Sequence, residues 1–298
     1  MIKPFLSASL LGLAAAGPVS AVSLINLNFS GAMTGVQQQT FVDAAAYWNS
    51  TITGYELAYL SSGVMRPHQL TIDVSLPYID GAYGILGSAG PTEGYYYFDA
   101  PLATATEYLL YASAGAMEFD SADVDMMVAE NLFYGVVLHE MAHVIGIGTL
   151  WTSNGLYTDG SGRYGGPAAL AAWQSEFGQT AATFVPVELG GGPGTANGHW
   201  NEVNGGGSNT GIVSSLTGMD LSKELMTGWA GDSFFVSTMT LGGLADLGYQ
   251  VDYSKAGPVS YNQVAAVPEP ASVLAMAGLL AGGLMTRRRS AARQATRA

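Results

Sequence analysis

The 298-residue chain contains no cysteine, which excludes disulfides and leaves burial and hydrogen bonding to hold the fold. Basic residues are scarce as well. Ten Lys and Arg stand against 23 Asp and Glu, a net charge of −13, and such a surface repels a phosphate backbone, so nucleic acid is not an expected partner. Histidine occurs only at positions 68, 139, 143 and 199. What the chain has in quantity is apolar side chains (48%) and glycine (40 residues), the composition of a loop-rich globular protein rather than a disordered one.

Two of the four histidines stand in His139-Glu140-Met141-Ala142-His143, with Gly146 closing an H-E-x-x-H-x-x-G segment. On a helix each residue turns the chain by about 100°, so the two imidazoles lie one turn apart on one face and can reach a single ion. Glu140 points at the same space and is placed to polarise water and carry its proton, which makes the set a zinc hydrolase constellation. Leu132, Phe133, Val136, Val137, Met141, Val144 and Ile145 recur at three-to-four-residue steps, which predicts a buried helix from about Glu130 to Ile145. The absence of cysteine also rules out latency by a thiolate plugging the zinc.

The ends carry addressing signals. Lys3, the apolar run Phe5 to Ala16 and the small residues Val19-Ser20-Ala21 predict a secretory signal peptide over 1–21. At the other end, Val267-Pro268-Glu269-Pro270 precedes 16 uncharged residues, Ala271 to Thr286, and then Arg287-Arg288-Arg289. As a helix that run would be about 24 Å long, short of the roughly 30 Å hydrocarbon core, so it makes a marginal transmembrane helix with the arginines on the cytoplasmic side. The trio at 268–298 resembles the PEP-CTERM sorting signal of Gram-negative bacteria. The resemblance implies an exosortase-type processing enzyme as a partner and delivery to the envelope surface or exopolysaccharide matrix, with only transient anchoring. Without both ends, four basic residues face 22 acidic ones, a net of about −18.

Between the ends, residues 22–256 are expected to form one domain, followed by a linker at 257–267. A helix is expected over Phe41 to Trp48, strands at Glu56 to Leu60, Leu70 to Val74 and Ala114 to Phe119, and a helix over Pro167 to Phe177. Ile79 to Gly94 is punctuated by Gly and Pro and reads as loop. Asp120-Ser121 reads as a helix entry. This mixture is an α+β fold, with zinc in a cleft between an N-terminal half and a smaller, irregular C-terminal half.

Catalytic zinc usually has three protein ligands, and the unused histidines are His68 and His199. Gly146 with a positive φ would turn the chain beneath the metal and favour a ligand from downstream. Ile147 to Trp151 holds no histidine, so His199 would have to return across 55 residues (144 to 198). Glu202 is the alternative third ligand, as in two-His-one-Glu sites. The segments from Val137 to Trp151, Gly198-His199-Trp200-Asn201-Glu202 and Glu224-Leu225-Met226-Thr227-Gly228 resemble, in that order, the three zinc-site blocks of leishmanolysin-type metzincins. The resemblance implies a metzincin-like zinc endopeptidase acting on protein or peptide substrates, with His199 as third ligand and Met226 as the Met-turn floor. Two features depart from the family: cysteine is missing, and about 20 residues, Val203 to Lys223, separate His199 from the Met-turn.

Other residues carry weaker expectations. Asp120, Asp123 and Asp125 could bind calcium or simply offset the helix dipole. His68 reads as solvated, and Tyr249 as core or as an oxyanion stabiliser. Ala114 to Phe119, if an edge strand, could bind extended peptide by strand addition. The rival reading from another class is a surface or matrix adhesin with a structural or vestigial zinc site.

Overall fold

The structure is a computed structural model that describes residues 24–65, 68–202, 209–229 and 233–259. The signal-peptide segment and the sorting tail with its 16-residue run lie outside those residues. Among the described residues no helix is long and apolar enough to cross a membrane.

The chain begins with β1 (Ile25–Phe29) and α1 (Gly35–Thr51). A capping box starts α1: Thr34 Oγ1 accepts from Gln37 N at 3.2 Å, and the Gln37 side chain accepts from Thr34 N at 2.8 Å. The helix therefore begins upstream of the expected Phe41, although Phe41, Ala44, Ala45 and Trp48 do form its buried stripe. Next come β2 (Ile52–Tyr55), β3 (Tyr59–Leu60), β4 (Leu70–Ser75), β5 (Gly87–Phe98) and β6 (Tyr108–Phe119). Five of these strands form a mixed sheet in the order β1-β4-β6-β5-β3, in which β1/β4 and β4/β6 are parallel and β6/β5 and β5/β3 antiparallel.

Two expectations fail here for one reason. The stretch read as loop contains most of β5, which is held by its long ladder with β6 despite Gly87, Gly90, Pro91 and Gly94. Consequently Ala114 to Phe119 is interior, paired on both sides, and the open edge belongs to β5. Pro91 is tolerated because β3 pairs only with Tyr97 and Phe98, leaving the earlier part of β5 unpaired on its outer side.

After α2 (Val124–Ala129), the motif helix α3 (Phe133–Ile145) packs across β5 and β6, with α1 against it. Phe41, Phe119 and Phe133 interlock edge-on at 5.3–5.5 Å, and Trp48 Nε1 donates to Leu138 O at 3.1 Å. Each such buried ring contributes on the order of 2 kcal/mol or more through apolar burial. Gly115 lets α3 approach the sheet, since a Cβ there would lie 2.2 Å from Val144 Cγ1.

The C-terminal half adds β7 (Arg163–Tyr164), α4 (Pro167–Glu176), β8 (Val185–Pro186), β9 (Phe234–Val236), α5 (Thr238–Asp246), β10 (Tyr249–Val251) and β11 (Gly257–Val259). Pro167 sits in the first turn of α4, where its missing N–H costs nothing. The expected linker does not begin at 257, because Gly257–Val259 pairs with Phe234–Val236.

Candidate metal centre

Gly146 ends α3 with φ 137°, and its N–H donates to Ala142 O. One turn apart on this helix, His143 Nε2 and His139 Nε2 lie 3.0 Å from each other. His199 Nε2 completes a triangle, 3.1 Å from His139 and 3.0 Å from His143. Each ring is oriented through its other nitrogen by a backbone carbonyl: His139 Nδ1 by Leu225 O at 2.6 Å, His143 Nδ1 by Ile147 O at 2.8 Å, His199 Nδ1 by Thr195 O at 2.8 Å. A carbonyl only accepts, so each Nδ1 carries the hydrogen and each Nε2 presents a lone pair.

His199 returns to the helix by short pairing rather than by a wandering loop. Trp200 bridges Val187, while Glu188 N donates to His199 O at 2.9 Å and Asn201 N to Pro186 O at 3.0 Å. On the other side Trp200 N donates to Met226 O at 3.0 Å, which ties the segment to the Met226 turn. The Trp200 ring anchors all this, stacked on Trp151 at 4.6 Å with Nε1 donating to Thr240 Oγ1 at 2.9 Å. Asn197, at φ 69°, accepts from Tyr157 Oη at 2.7 Å and Gly160 N at 2.8 Å.

The trio opens into a cleft of about 1020 Å³. Gly84 to Ala89, the start of β5 and the loop before it, form one wall; Thr195 to His199 and Thr227 to Trp229 contribute to the other. Burial pushes His139 down to about 3, helped by the neighbouring His199, and its Leu225 carbonyl only partly offsets this. Burial also lowers His143 and His199, so all three imidazoles are neutral. Glu140 faces the same cleft and is pushed up to about 7 by burial.

A family model for leishmanolysin matches residues 110–267, more than half of the chain. The chain belongs to the leishmanolysin family. A second model, the PEP-CTERM protein-sorting motif, matches residues 266–289. No curated protein matches the chain.

A leishmanolysin-family zinc fits the residues present. Three lone pairs facing one another at 3.0–3.1 Å cannot hydrogen-bond among themselves and repel unless a cation lies between them. A triangle of that size leaves a point about 2 Å from all three corners, the Zn–N distance. Among the described residues these three are the one group of His, Cys, Asp or Glu that converges closely enough for a metal.

The remaining expectations fare differently. Glu202 is buried and burial raises it to about 7, but it lies outside the converging trio. Met226 is fully buried in the turn that supplies Leu225 O. Calcium at Asp120, Asp123 and Asp125 is not supported, because these carboxylates do not converge on one point, and most of their oxygens accept from nearby N–H groups. Asp120 accepts from Asp80, Gly81 and Ala122 N–H at 2.8 Å, Asp123 from Tyr83 N at 2.9 Å, and Asp125 from the Gln37 amide at 3.4 Å. These bonds shape the cleft-wall loop. His68 is half-buried rather than freely solvated: its ring stacks on Tyr55 at 3.6 Å and bonds Leu57 O at 2.7 Å. Tyr249 is core, its hydroxyl donating to Ile145 O at 2.9 Å.

Sequence reasoning gave Gly148 no role, yet at φ 77° its missing Cβ would lie 2.2 Å from Gly198 O, beside His199. The signal was the G-x-G spacing at 146 and 148. Glu224 opens the Met-turn block of the sequence, and its burial has no local signature there.

Proposed function

We propose that this leishmanolysin-family protein is an exported zinc-dependent endopeptidase, with His139, His143 and His199 as ligands and Glu140 as general base. The observation that carries the reading is the convergence of three bare Nε2 atoms beside a carboxyl raised to about 7. Zinc there supplies a Lewis acid that activates water and polarises the scissile carbonyl. Glu140, deprotonated near neutrality, takes the proton from the attacking water and returns it to the leaving amine nitrogen. The open edge of β5 at Gly87 to Ala89 offers backbone N–H and C=O groups to an extended peptide, which would hold the scissile bond across the trio. Gly146 and Met226 support the site, the first by turning the chain off α3 and the second within the turn that orients His139.

Export rests on the segment over 1–21 and on the PEP-CTERM match, which implies exosortase-type processing after the 22–256 domain. The envelope surface or extracellular matrix is then the working location. A digest of casein or a peptide library by the purified protein, with chelator and with zinc restored, tests the activity. Zinc-dependent cleavage is expected; zinc-loaded protein that cleaves nothing would instead favour the adhesin.

A further inference from the structure

Glu224 is buried, 2% exposed, and every partner of its carboxylate is a neutral donor. Oε2 accepts from Met226 N at 2.6 Å. Oε1 accepts from Ser237 N at 3.1 Å, Ser237 Oγ at 2.7 Å and Thr240 Oγ1 at 2.6 Å. Four donors and no acceptor suit a carboxylate; burial raises its pKa, and the bonds from Thr240, Ser237 and Met226 oppose that rise. Burying such a group is unfavourable, and stability alone is a weak reason to keep it.

What the four bonds organise is the metal centre. The Met226 N–H fixes the turn whose preceding carbonyl, Leu225 O, orients His139, and the Met226 carbonyl of the same turn accepts from Trp200 N. The Thr240 hydroxyl donates to Glu224 and accepts from Trp200 Nε1, so the residue beside His199 is held through the same carboxylate. Ser237 caps α5 and Thr240 lies in its first turn, which ties the two ligand segments to a rigid element.

We propose that Glu224 is a positioning residue for the metal centre: through the Met226 amide and the Thr240 hydroxyl it sets the geometry of His139 and His199 together. The inference rests on the zinc reading above and goes beyond it. Glutamine cannot replace it, because its NH₂ would face an N–H or O–H donor wherever it turned. Glu224 lines the cleft, but its carboxylate bonds to Met226, Ser237 and Thr240 and to none of the three histidines, so its effect on the trio passes through geometry and not through contact.

The experiment is a zinc titration of the metal-free protein against a chromophoric chelator, beside the visible spectrum of the cobalt-loaded protein and the melting of the apo form. Glu224→Gln is expected to weaken zinc by about 10–100-fold and to alter the cobalt bands. Unchanged affinity and bands with only a lower melting temperature would overturn the proposal and leave Glu224 a structural residue. Should Glu224→Gln fail to fold, Thr240→Val carries the test. It removes one donor and the Trp200 acceptor, and a loss of about 2–10-fold in zinc affinity is expected; unchanged affinity and bands overturn the proposal here too. Wild-type protein that takes up no zinc would overturn the metal reading itself, whereas tight wild-type binding unaffected in the variants overturns Glu224 alone.

Discussion

His139 Nδ1 lies 2.6 Å from the carbonyl oxygen of Leu225, 86 positions away, so the first histidine of the helix is oriented by the turn that contains Met226. The other two rings are held in the same manner, by Ile147 O and Thr195 O. Backbone carbonyls do not titrate, so the lone pairs at the three Nε2 atoms stay fixed until an imidazole itself takes a proton. The precision of the site is therefore the precision of three chain turns, and residues that shape those turns control it.

Gly148 is such a residue. At φ 77° and with its missing Cβ 2.2 Å from Gly198 O, it lets the exit of α3 touch the backbone beside His199. Gly148→Ala is expected to cost about 1–3 kcal/mol through the left-handed conformation and the displaced backbone. Because the displacement falls next to His199, zinc affinity should drop by about 10-fold or more. Denaturant melts with a zinc titration check both, and an unchanged zinc constant would show that the His199 segment can move without harm.

Glu140→Gln separates binding from chemistry. Glu140 is not among the converging nitrogens, so zinc affinity should be retained while turnover falls by about 10²–10⁴-fold. In the apo protein the folded pKa of about 7 lies above the ordinary carboxyl value. The folded state then binds the proton more tightly, and stability declines as pH rises through that window. The glutamine variant should consequently melt higher than wild type above pH 7 in the absence of metal. Full peptidase activity in the variant would remove Glu140 from its role.

The helices were legible because their signals are local. α3 shows its apolar period and its terminal glycine, and α4 its Pro167 entry. β5 was not, since Gly87, Gly90, Pro91 and Gly94 all argue against a strand and only the ladder with β6 overrides them. The same holds for the site. The spacing of His139 and His143 on one helix face is local and sufficient, and His199 followed from the order of three motif blocks. For the acids at 120–125, composition leaves calcium binding and helix-dipole pairing both open, because it cannot show that backbone N–H groups from residues 80–83 and 122 and the Gln37 amide bond to them.

Replacing His199 and Glu202 in turn decides the third ligand. His199→Ala should weaken zinc by more than the roughly 100-fold that an outer-sphere change costs, since it removes one of three converging nitrogens. Glu202→Gln should leave the zinc constant unchanged. The reverse pattern in a chelator competition would transfer the role to Glu202.

His68 lies away from the trio and gives the fold a pH dependence of its own. Its ring stacks on Tyr55 at 3.6 Å and 11°, meets Tyr97 at 3.8 Å and Tyr111 edge-on at 4.9 Å, and bonds Leu57 O at 2.7 Å. Burial pushes it down to about 4, with the Leu57 carbonyl pulling only weakly upward. Its unfolded value is about 6.5, so below that pH the unfolded chain takes a proton that the folded one refuses. The contribution is full above about 6.5, is lost as pH falls toward about 4, and is flat below. His68→Phe keeps the stacking and removes the titration, so its melting temperature should fall less between pH 6.5 and 4 than that of wild type. Both proteins are compared in the same metal state, because the trio's own protonation has the same sign and cancels in the difference. Parallel melting curves across that window would mean that His68 is charged in the fold and that the tyrosine cage does not exclude its proton.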